Sequence, residues 1–193
     1  MSICTRGITY LHIPKTAGTS ILDWVRGTGA TVVQEWQTHP RNSVLKEVCP
    51  NNITFTVIRN PWDRMVSAYH YLRQISLPEG SGWLALNNIT EDNFPSFTDW
   101  IVNLEHYANP AAYWFRPETA QSAWIDAPVD IVLRYETLLL DFTQIQDLFT
   151  HTQNLPHHYQ SKRSNYRDYY NDVTRSMVAR LNESDIDSFK YTF

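Results

Sequence analysis

A loop near the start of the chain combines residue types that bind phosphate. In HIPKTAGTSI, His12–Ile21, a run of branched and aromatic residues stops at Pro14, and small residues lead into a helical pattern. Backbone N–H groups at a helix start have no partners within the helix and carry partial positive charge. With the Lys15 ammonium beside them, they form an anion site. The stretch therefore indicates a phosphate-binding loop.

The position of the lysine separates this loop from a nucleotide-triphosphate P-loop. Walker A sequences place Lys after the second Gly and directly before Ser or Thr, and that hydroxyl binds magnesium. Here Lys15 precedes Gly18 by three positions, and no Lys follows it. A plain strand–helix turn capped by Ser or Thr, with a solvated Lys15, explains the same residues. This stretch alone leaves both interpretations open.

A second candidate anion site follows a later strand, in VIRNPWDRMVSAYHYL. Arg59 stands at the carboxyl end of the strand pattern, and Ser67 is eight residues further on, inside the next helix. The planar guanidinium matches phosphate oxygens, and the Ser67 hydroxyl could bind the same group. A pairing of Arg59 with Asp63 or Glu136 is the alternative, and on this motif alone it is the favoured one.

The elements that must position these residues alternate between strands and helices. The strand patterns are Gly7–Ile13, Ala30–Gln34, Ile53–Ile58 and Val129–Leu133. Helical patterns cover Thr19–Arg26, Asn42–Val48, Pro61–Leu72, Ser96–Leu104, Leu138–Phe149 and Asp172–Leu181, with a short helical turn towards Phe189. Such alternation predicts an α/β domain with a mostly parallel sheet, whose ligands bind outside the carboxyl ends of the strands. Both candidate loops follow such ends. The irregular residues 75–95 are the best candidate for a substrate-facing loop.

Length and composition restrict the class of protein. A chain of 193 residues with 42% hydrophobic and 19% charged residues fits one folded domain over residues 1–193. Its net charge of −4 argues against a nucleic-acid partner. No signal peptide or membrane-spanning run is evident, so a cytoplasmic protein is expected. Cys4 and Cys49 form no disulfide framework or zinc spacing and are interpreted as reduced thiols.

Together the two motifs resemble the superfamily of sulfotransferases that use 3′-phosphoadenosine 5′-phosphosulfate (PAPS), particularly its carbohydrate branch. HIPKTAGTS looks like the 5′-phosphosulfate loop of that family, and RNPWDRMVSAY looks like its 3′-phosphate motif. The later segments QSAWIDAPVDIVLRYETLLLDF and LPHHYQSKRSNYRDYYNDVTRSMVARLNESDIDSFKY also resemble that branch. The likeness runs from about residue 8 to the end and implies a three-layer, P-loop-like fold.

The resemblance assigns roles to individual residues. By the likeness Lys15 would bind the 5′-phosphosulfate; the chemistry of a phosphosulfate adds a catalytic role, in which Lys15 neutralises the leaving-group oxygen between sulfur and phosphorus. Arg59 and Ser67 would hold the 3′-phosphate. The remaining donor-binding residues implied by the likeness are Thr16, Ala17, Gly18, Thr19 and Ser20 of the loop, with Lys162, Arg163 and Arg167 in a late loop that closes over the nucleotide. No metal ligand is implied, and the missing membrane anchor favours a soluble microbial or viral enzyme.

A base must take the proton of the acceptor hydroxyl, and histidine has a suitable pKa. His39 follows the second predicted strand and resembles the catalytic His of carbohydrate sulfotransferases, so it is the preferred base. Glu35 and His12 are the alternatives, although His12 fits a structural hydrogen bond better. His70 and His106 are interpreted as structural or solvated, and His157 and His158 lack a third metal ligand at a useful spacing.

The resemblance implies an acceptor hydroxyl on a glycan or small molecule, with a sugar hydroxyl as first choice; a lipid, a small phenol and a protein tyrosine stay open as alternatives. Five aromatic residues could form a sugar platform, although most are expected in the core: Trp83, Trp100, Tyr113, Trp114 and Trp124. Two rival functions stay open at this point. One is an ATP-dependent small-molecule kinase, which magnesium dependence would reveal. The other is a non-catalytic nucleotide-binding relative, which turnover of PAPS would exclude.

Overall fold

The structure, a computed structural model, describes residues 1–76, 87–107, 119–156, 158 and 163–193. These residues form two compact units. The first comprises Met1–Arg59 and Gln121–Gln160, and the second comprises Asn60–Ala120 and Ser161–Phe193. The expectation of one domain over residues 1–193 stays a prediction.

A five-stranded sheet forms the centre of the first unit. Its strands are β1 (Ile3–Thr5), β2 (Ile8–Leu11), β3 (Val32–Glu35), β4 (Ile53–Ile58) and β5 (Ile131–Arg134). They lie in the order β3-β1-β2-β4-β5. Strands β2, β4 and β5 are parallel to one another, whereas β1 is antiparallel to both β2 and β3.

The sheet is therefore mixed, and the prediction of a mostly parallel sheet is wrong. The reason is β1, which was not predicted because a strand of three residues is too short to show a pattern in the sequence. The chain turns back from β1 into β2 at Gly7, whose φ of 90° lies in the left-handed region that glycine tolerates.

Except for the four-residue helix Gln121–Trp124, which was not predicted, the α-helices of the described residues correspond to predicted helical segments. The helices are α1 (Gly18–Gly27), α2 (Asn42–Val48), α3 (Pro61–Tyr71), α4 (Phe97–Val102), α5 (Gln121–Trp124), α6 (Leu138–Asp141), α7 (Thr143–Phe149), α8 (Asp172–Leu181) and α9 (Glu183–Phe189). The one helix predicted over Leu138–Phe149 is divided into α6 and α7 at Phe142. The Phe142 ring is buried edge-on against Trp24.

The core of the first unit fixes α1 on the sheet. Ile21, Leu22 and Val25 share one helix face and are almost fully buried. They belong to the same hydrophobic cluster as Tyr10 and Phe55 from the two central parallel strands. Because that face holds α1 in place, the loop before it is held at the carboxyl end of β2.

A disulfide joins Cys4 in β1 to Cys49 at the end of α2. The expectation of two reduced thiols is therefore wrong. The sequence could not show the pairing, because the two residues are 45 positions apart and become neighbours only when α2 packs beside the sheet.

The second unit is built around α3. Asn60 caps this helix, since its side-chain oxygen accepts from the N–H groups of Trp62 and Asp63 at 3.0 and 3.4 Å, and Pro61 occupies the first turn. The Asn60 amide also donates to the Thr192 carbonyl at 2.9 Å. This part of the RNPWDR motif is therefore structural.

Across the described ranges, no helix has both the length and the apolar character that crossing a membrane requires.

Candidate functional site

The loop between β2 and α1 has a strained backbone. Lys15 and Ala17 have φ values of 69° and 72°, in the left-handed region that residues with a side chain rarely adopt. Each such residue costs about 1–3 kcal/mol, and such strain concentrates at functional sites. Ala17 is also the residue before α1 and forms no side-chain cap. The loop thus turns sharply and leaves the N–H groups of the helix start without a side-chain acceptor.

Two loop hydroxyls have defined partners. The Thr16 hydroxyl donates to the Ile13 carbonyl at 2.8 Å and stabilises the turn. The Ser20 oxygen accepts from the backbone N–H of His158 at 3.1 Å, so its own hydrogen remains available as a donor. The structure therefore gives Thr16 a structural contact and leaves the Ser20 hydroxyl a hydrogen to donate.

Gly18 is in direct contact with His12. A Cβ atom at position 18 would lie 1.7 Å from Nε2 of His12, far closer than any two unbonded atoms approach. Gly18 does not have a positive φ. It is glycine because the imidazole occupies the space of a side chain.

Arg59 lies at the carboxyl end of β4, as the sequence predicts, and is buried. Its guanidinium stacks on the Tyr135 ring at 3.8 Å and donates to the Lys15 carbonyl at 3.1 Å. Its backbone N–H and C=O are both bound by the side-chain amide of Gln121, each at 2.8 Å. These contacts bring the second cation to the loop between β2 and α1, within the first unit.

The supporting roles of Gln121 and Tyr135 were not predicted. Both residues belong to the segment QSAWIDAPVDIVLRYETLLLDF, whose family likeness concerns the whole segment and assigns no role to single residues. A signal was present in Tyr135, because an aromatic residue directly after a strand can present its ring to a neighbouring strand end. The pairing itself joins residues 76 positions apart, which spacing alone does not reveal.

The Lys15 ammonium has an unusual proton affinity. Burial, and then the charge of Arg59, lower the pKa of Lys15 to about 7. Two cations held together in a partly desolvated loop destabilise one another when no anion is present. A bound anion reverses this effect, because it favours the charged form of Lys15. The loop is therefore electrostatically prepared for an anionic group.

Anion binding at this loop is expected to depend on pH. Since Lys15 has a pKa of about 7 without ligand and a higher one beside an anion, binding takes up a proton above pH 7. Affinity for adenosine 3′,5′-bisphosphate should fall as pH rises from 7 to 9, by at most about tenfold per pH unit. Calorimetry in buffers of different ionisation enthalpy measures the proton uptake. Lys15→Met should remove the uptake and Lys46→Met should keep it; a flat affinity in the native protein would contradict the assignment.

The candidate bases differ in their surroundings. The rings of His12 and His39 meet edge-on with centroids 4.7 Å apart, so the half-buried His39 lies beside the residue that follows β2. Burial, then His39, lower the pKa of His12 well below its ordinary value, and Nδ1 of His12 lies 2.7 Å from the Met1 carbonyl. Glu35 forms an ion pair with Arg26.

The remaining predicted donor ligands belong to the second unit. Ser67 lies in α3, one helical turn after Asp63, so both are on the same face. Arg163 forms an ion pair with Asp63 at 2.6 Å, and both side chains are largely buried. Lys162 lies outside the described residues. Asp63, one of the two carboxylates considered as a partner of Arg59, therefore forms this ion pair with Arg163.

Other predicted candidates have structural surroundings. His70 is buried, with Nε2 2.9 Å from the Tyr169 hydroxyl, and His106 is exposed in a short helical turn. His158 pairs with Asp23 of α1 at 3.0 Å. Trp100 and Trp124 are core residues, as expected for most of the aromatic set. Four candidates are outside the described residues: Trp83, Tyr113, Trp114 and His157. Among the side chains that the structure describes, no three His, Cys, Asp or Glu are grouped as for a metal.

Comparison with known proteins identifies the family. The model of the family described as "Sulfotransferase family" matches residues 4–192, almost the whole chain. The chain is similar to the crystal structure of a sulfotransferase from Alicyclobacillus acidocaldarius, with 17% identity and a TM-score of 0.40. That alignment covers 77% of this chain, which spans 62% of the other chain. No curated protein sequence matches. On the strength of the family match, the chain belongs to the sulfotransferase family.

Proposed function

We propose that the protein transfers a sulfuryl group from PAPS to a hydroxyl of an acceptor, with a carbohydrate as the acceptor class. The observation that carries the proposal is the pair of cations at the start of α1. Lys15 and Arg59 lie at one loop, and the Arg59 guanidinium donates to the Lys15 carbonyl at 3.1 Å. Membership of the sulfotransferase family agrees with this arrangement.

The residues of the loop fit the 5′-phosphosulfate end of the donor. The helix start offers N–H groups without a side-chain cap, and Lys15 charges readily when an anion is beside it. PAPS supplies the sulfuryl group and leaves as adenosine 3′,5′-bisphosphate. Lys15 stabilises the negative charge that develops on the leaving oxygen. The N–H groups of Gly18, Thr19 and Ser20 bind the 5′ phosphosulfate oxygens.

The 3′-phosphate is assigned to Arg59 and Ser67 on the basis of the family motif. In support, Arg59 is held rigidly by Gln121 and Tyr135, which orders its guanidinium before a ligand arrives. Arg163 and Lys162 are proposed as further donor contacts. No metal takes part in this proposal, because the cationic side chains supply the charge that magnesium supplies in triphosphatases.

His39 is the proposed base. Of the three candidates, Glu35 is engaged by Arg26, and His12 is buried with Nδ1 bound to a carbonyl. His39 is partly accessible and lies next to the loop that binds the transferred group. In this role an imidazole nitrogen of His39 accepts the hydroxyl proton as the acceptor oxygen attacks sulfur.

Replacement of the base should separate chemistry from binding. In His39→Ala, kcat should fall by about 10²–10⁴-fold, the usual contribution of a general base, while affinity for the bisphosphate stays unchanged. His106→Ala is the matched control, since His106 is an exposed histidine in a short helical turn with no proposed role. Steady-state kinetics with an identified acceptor provide the test. Equal losses of kcat in both variants would remove His39 from the mechanism.

Turnover tests the proposed function as a whole. The protein is incubated with PAPS and a panel of glycans, phenols and tyrosine peptides in EDTA, and release of the bisphosphate is measured. We expect release that depends on the acceptor and is greatest with a glycan. A parallel incubation replaces PAPS by ATP and EDTA by magnesium; consumption of ATP there, with no turnover of PAPS, would contradict the proposal.

A further inference from the structure

We propose that His12 is a positioning residue that holds the phosphate loop and His39 in a fixed relation to each other. Its imidazole lies between the two, in contact with Gly18 of the loop and with the ring of His39. The effect on catalysis rests on the proposed function, whereas the contact between His12 and Gly18 does not.

The orientation of the His12 ring is set by the first two residues. Nδ1 lies 2.7 Å from the Met1 carbonyl, and a carbonyl only accepts, so Nδ1 carries the proton. The backbone N–H of His12 donates to the Ser2 hydroxyl at 3.1 Å. The ring is neutral at pH 7, because burial and then His39 lower the pKa of His12 well below its ordinary value. Nε2 therefore has a free lone pair and faces the loop.

The Nε2 side of the ring constrains the start of α1. A Cβ at position 18 would lie 1.7 Å from Nε2 and 2.2 Å from Cδ2 and Cε1. Three ring atoms thus fill the place of a side chain, and the helix start rests against them. Because the ring belongs to the residue directly after β2, the loop is fixed at both its beginning and its end.

The other contact of the ring is with His39. The two rings meet at an interplanar angle of 62° with centroids 4.7 Å apart. The backbone of His39 is fixed separately, since its carbonyl accepts from the indole N–H of Trp124 at 3.1 Å. His12 therefore restricts the orientation of the His39 ring, and Trp124 restricts the position of the His39 backbone. A neutral ring in this place positions the base without adding a third charge beside Lys15 and Arg59.

Four variants test the contact through complementation. Gly18→Ala places a methyl group against the ring, whereas His12→Asn keeps an N–H donor near the Nδ1 position and removes the Nε2 side. The third combines both changes. Gly27→Ala is the matched control, because Gly27 lies in the same helix and a Cβ there meets no atom within 4 Å. Thermal unfolding, bisphosphate affinity and steady-state kinetics are measured for each.

The expected results distinguish two functions of His12. Gly18→Ala should weaken bisphosphate binding by about 10- to 100-fold, because overpacking displaces the loop, and should unfold at a lower temperature. The double variant should recover most of both losses. His12→Asn should bind the bisphosphate nearly as the native protein does but lose about 10- to 100-fold in kcat, as expected for a misplaced base. Gly27→Ala should match the native protein.

Three outcomes would overturn the inference. These are native-like binding by Gly18→Ala, a double variant no better than Gly18→Ala in unfolding temperature, and a native kcat in His12→Asn. Failure of the proposed function looks different. In that case the native protein would not bind the bisphosphate, while the unfolding temperatures of the four variants would still report whether His12 and Gly18 are in contact.

Discussion

Lys15→Ala is expected to abolish transfer and leave the fold intact. Lys15 is the cation whose pKa burial and Arg59 lower to about 7, and we assign it to the leaving oxygen. Loss of one preorganised group that stabilises developing charge costs about 10²–10³-fold in kcat, and here the lost group carries a full charge. Alanine fits the backbone, since Ala17 already adopts a similar positive φ two residues later. Single-turnover release of the bisphosphate measures the effect.

Two further lysine variants control this experiment. Lys15→Arg keeps the charge and should retain partial activity. Lys46→Ala removes a lysine of α2 whose Nζ donates to the Asn52 carbonyl at 3.1 Å. This variant should transfer at the native rate. If Lys15→Ala kept more than a tenth of the native kcat, Lys15 would have no catalytic role.

Arg59→Ala is expected to weaken binding of the bisphosphate more than it changes chemistry. Loss of a charge-assisted contact to phosphate costs about 1.5–3 kcal/mol, which is about 10- to 150-fold in Kd. The variant also removes the guanidinium from Tyr135 and from the Lys15 carbonyl, so a lower unfolding temperature is expected as well. Calorimetric titration of the bisphosphate gives the change in affinity directly.

Arg59→Lys distinguishes the loss of the positive charge in Arg59→Ala from the loss of the contacts with Tyr135 and the Lys15 carbonyl. It keeps the charge but loses the planar fork and its stacking, so it should fall between the native protein and Arg59→Ala in affinity. Arg6→Ala, at an exposed arginine between β1 and β2, controls for net charge and should bind normally. Near-native affinity in a folded Arg59→Ala would count against the assignment of the 3′-phosphate to this residue.

The sequence predicted the elements that carry strong local signals. The bounds of α2, β4 and α8 were predicted to the residue. Strand β4 is an apolar run stopped by the Asn–Pro pair of Asn60 and Pro61, and the same pair starts α3. The positions of Lys15 and Arg59 near strand ends were predicted from these signals, because Pro and small residues end a strand or begin a helix through local effects.

Contacts between residues far apart in the chain could not be predicted from the sequence. Strand β1 is too short to show a pattern, and its antiparallel pairing made the sheet mixed. The disulfide of Cys4 with Cys49 and the stacking of Arg59 on Tyr135 both depend on how the elements pack. The steric reason for Gly18 appeared only with the His12 ring in place, because a glycine in a loop has several explanations until its neighbours are known.

Calorimetric titration with adenosine 3′,5′-bisphosphate, ATP and AMP, in buffer without metal and again for ATP with magnesium, tests the central claim most directly. The claim is that Lys15, the start of α1 and Arg59 form a site for the donor. We predict tight binding of the bisphosphate without metal and much weaker binding of ATP and AMP. Tighter binding of ATP with magnesium than of the bisphosphate would contradict the proposal and favour a kinase.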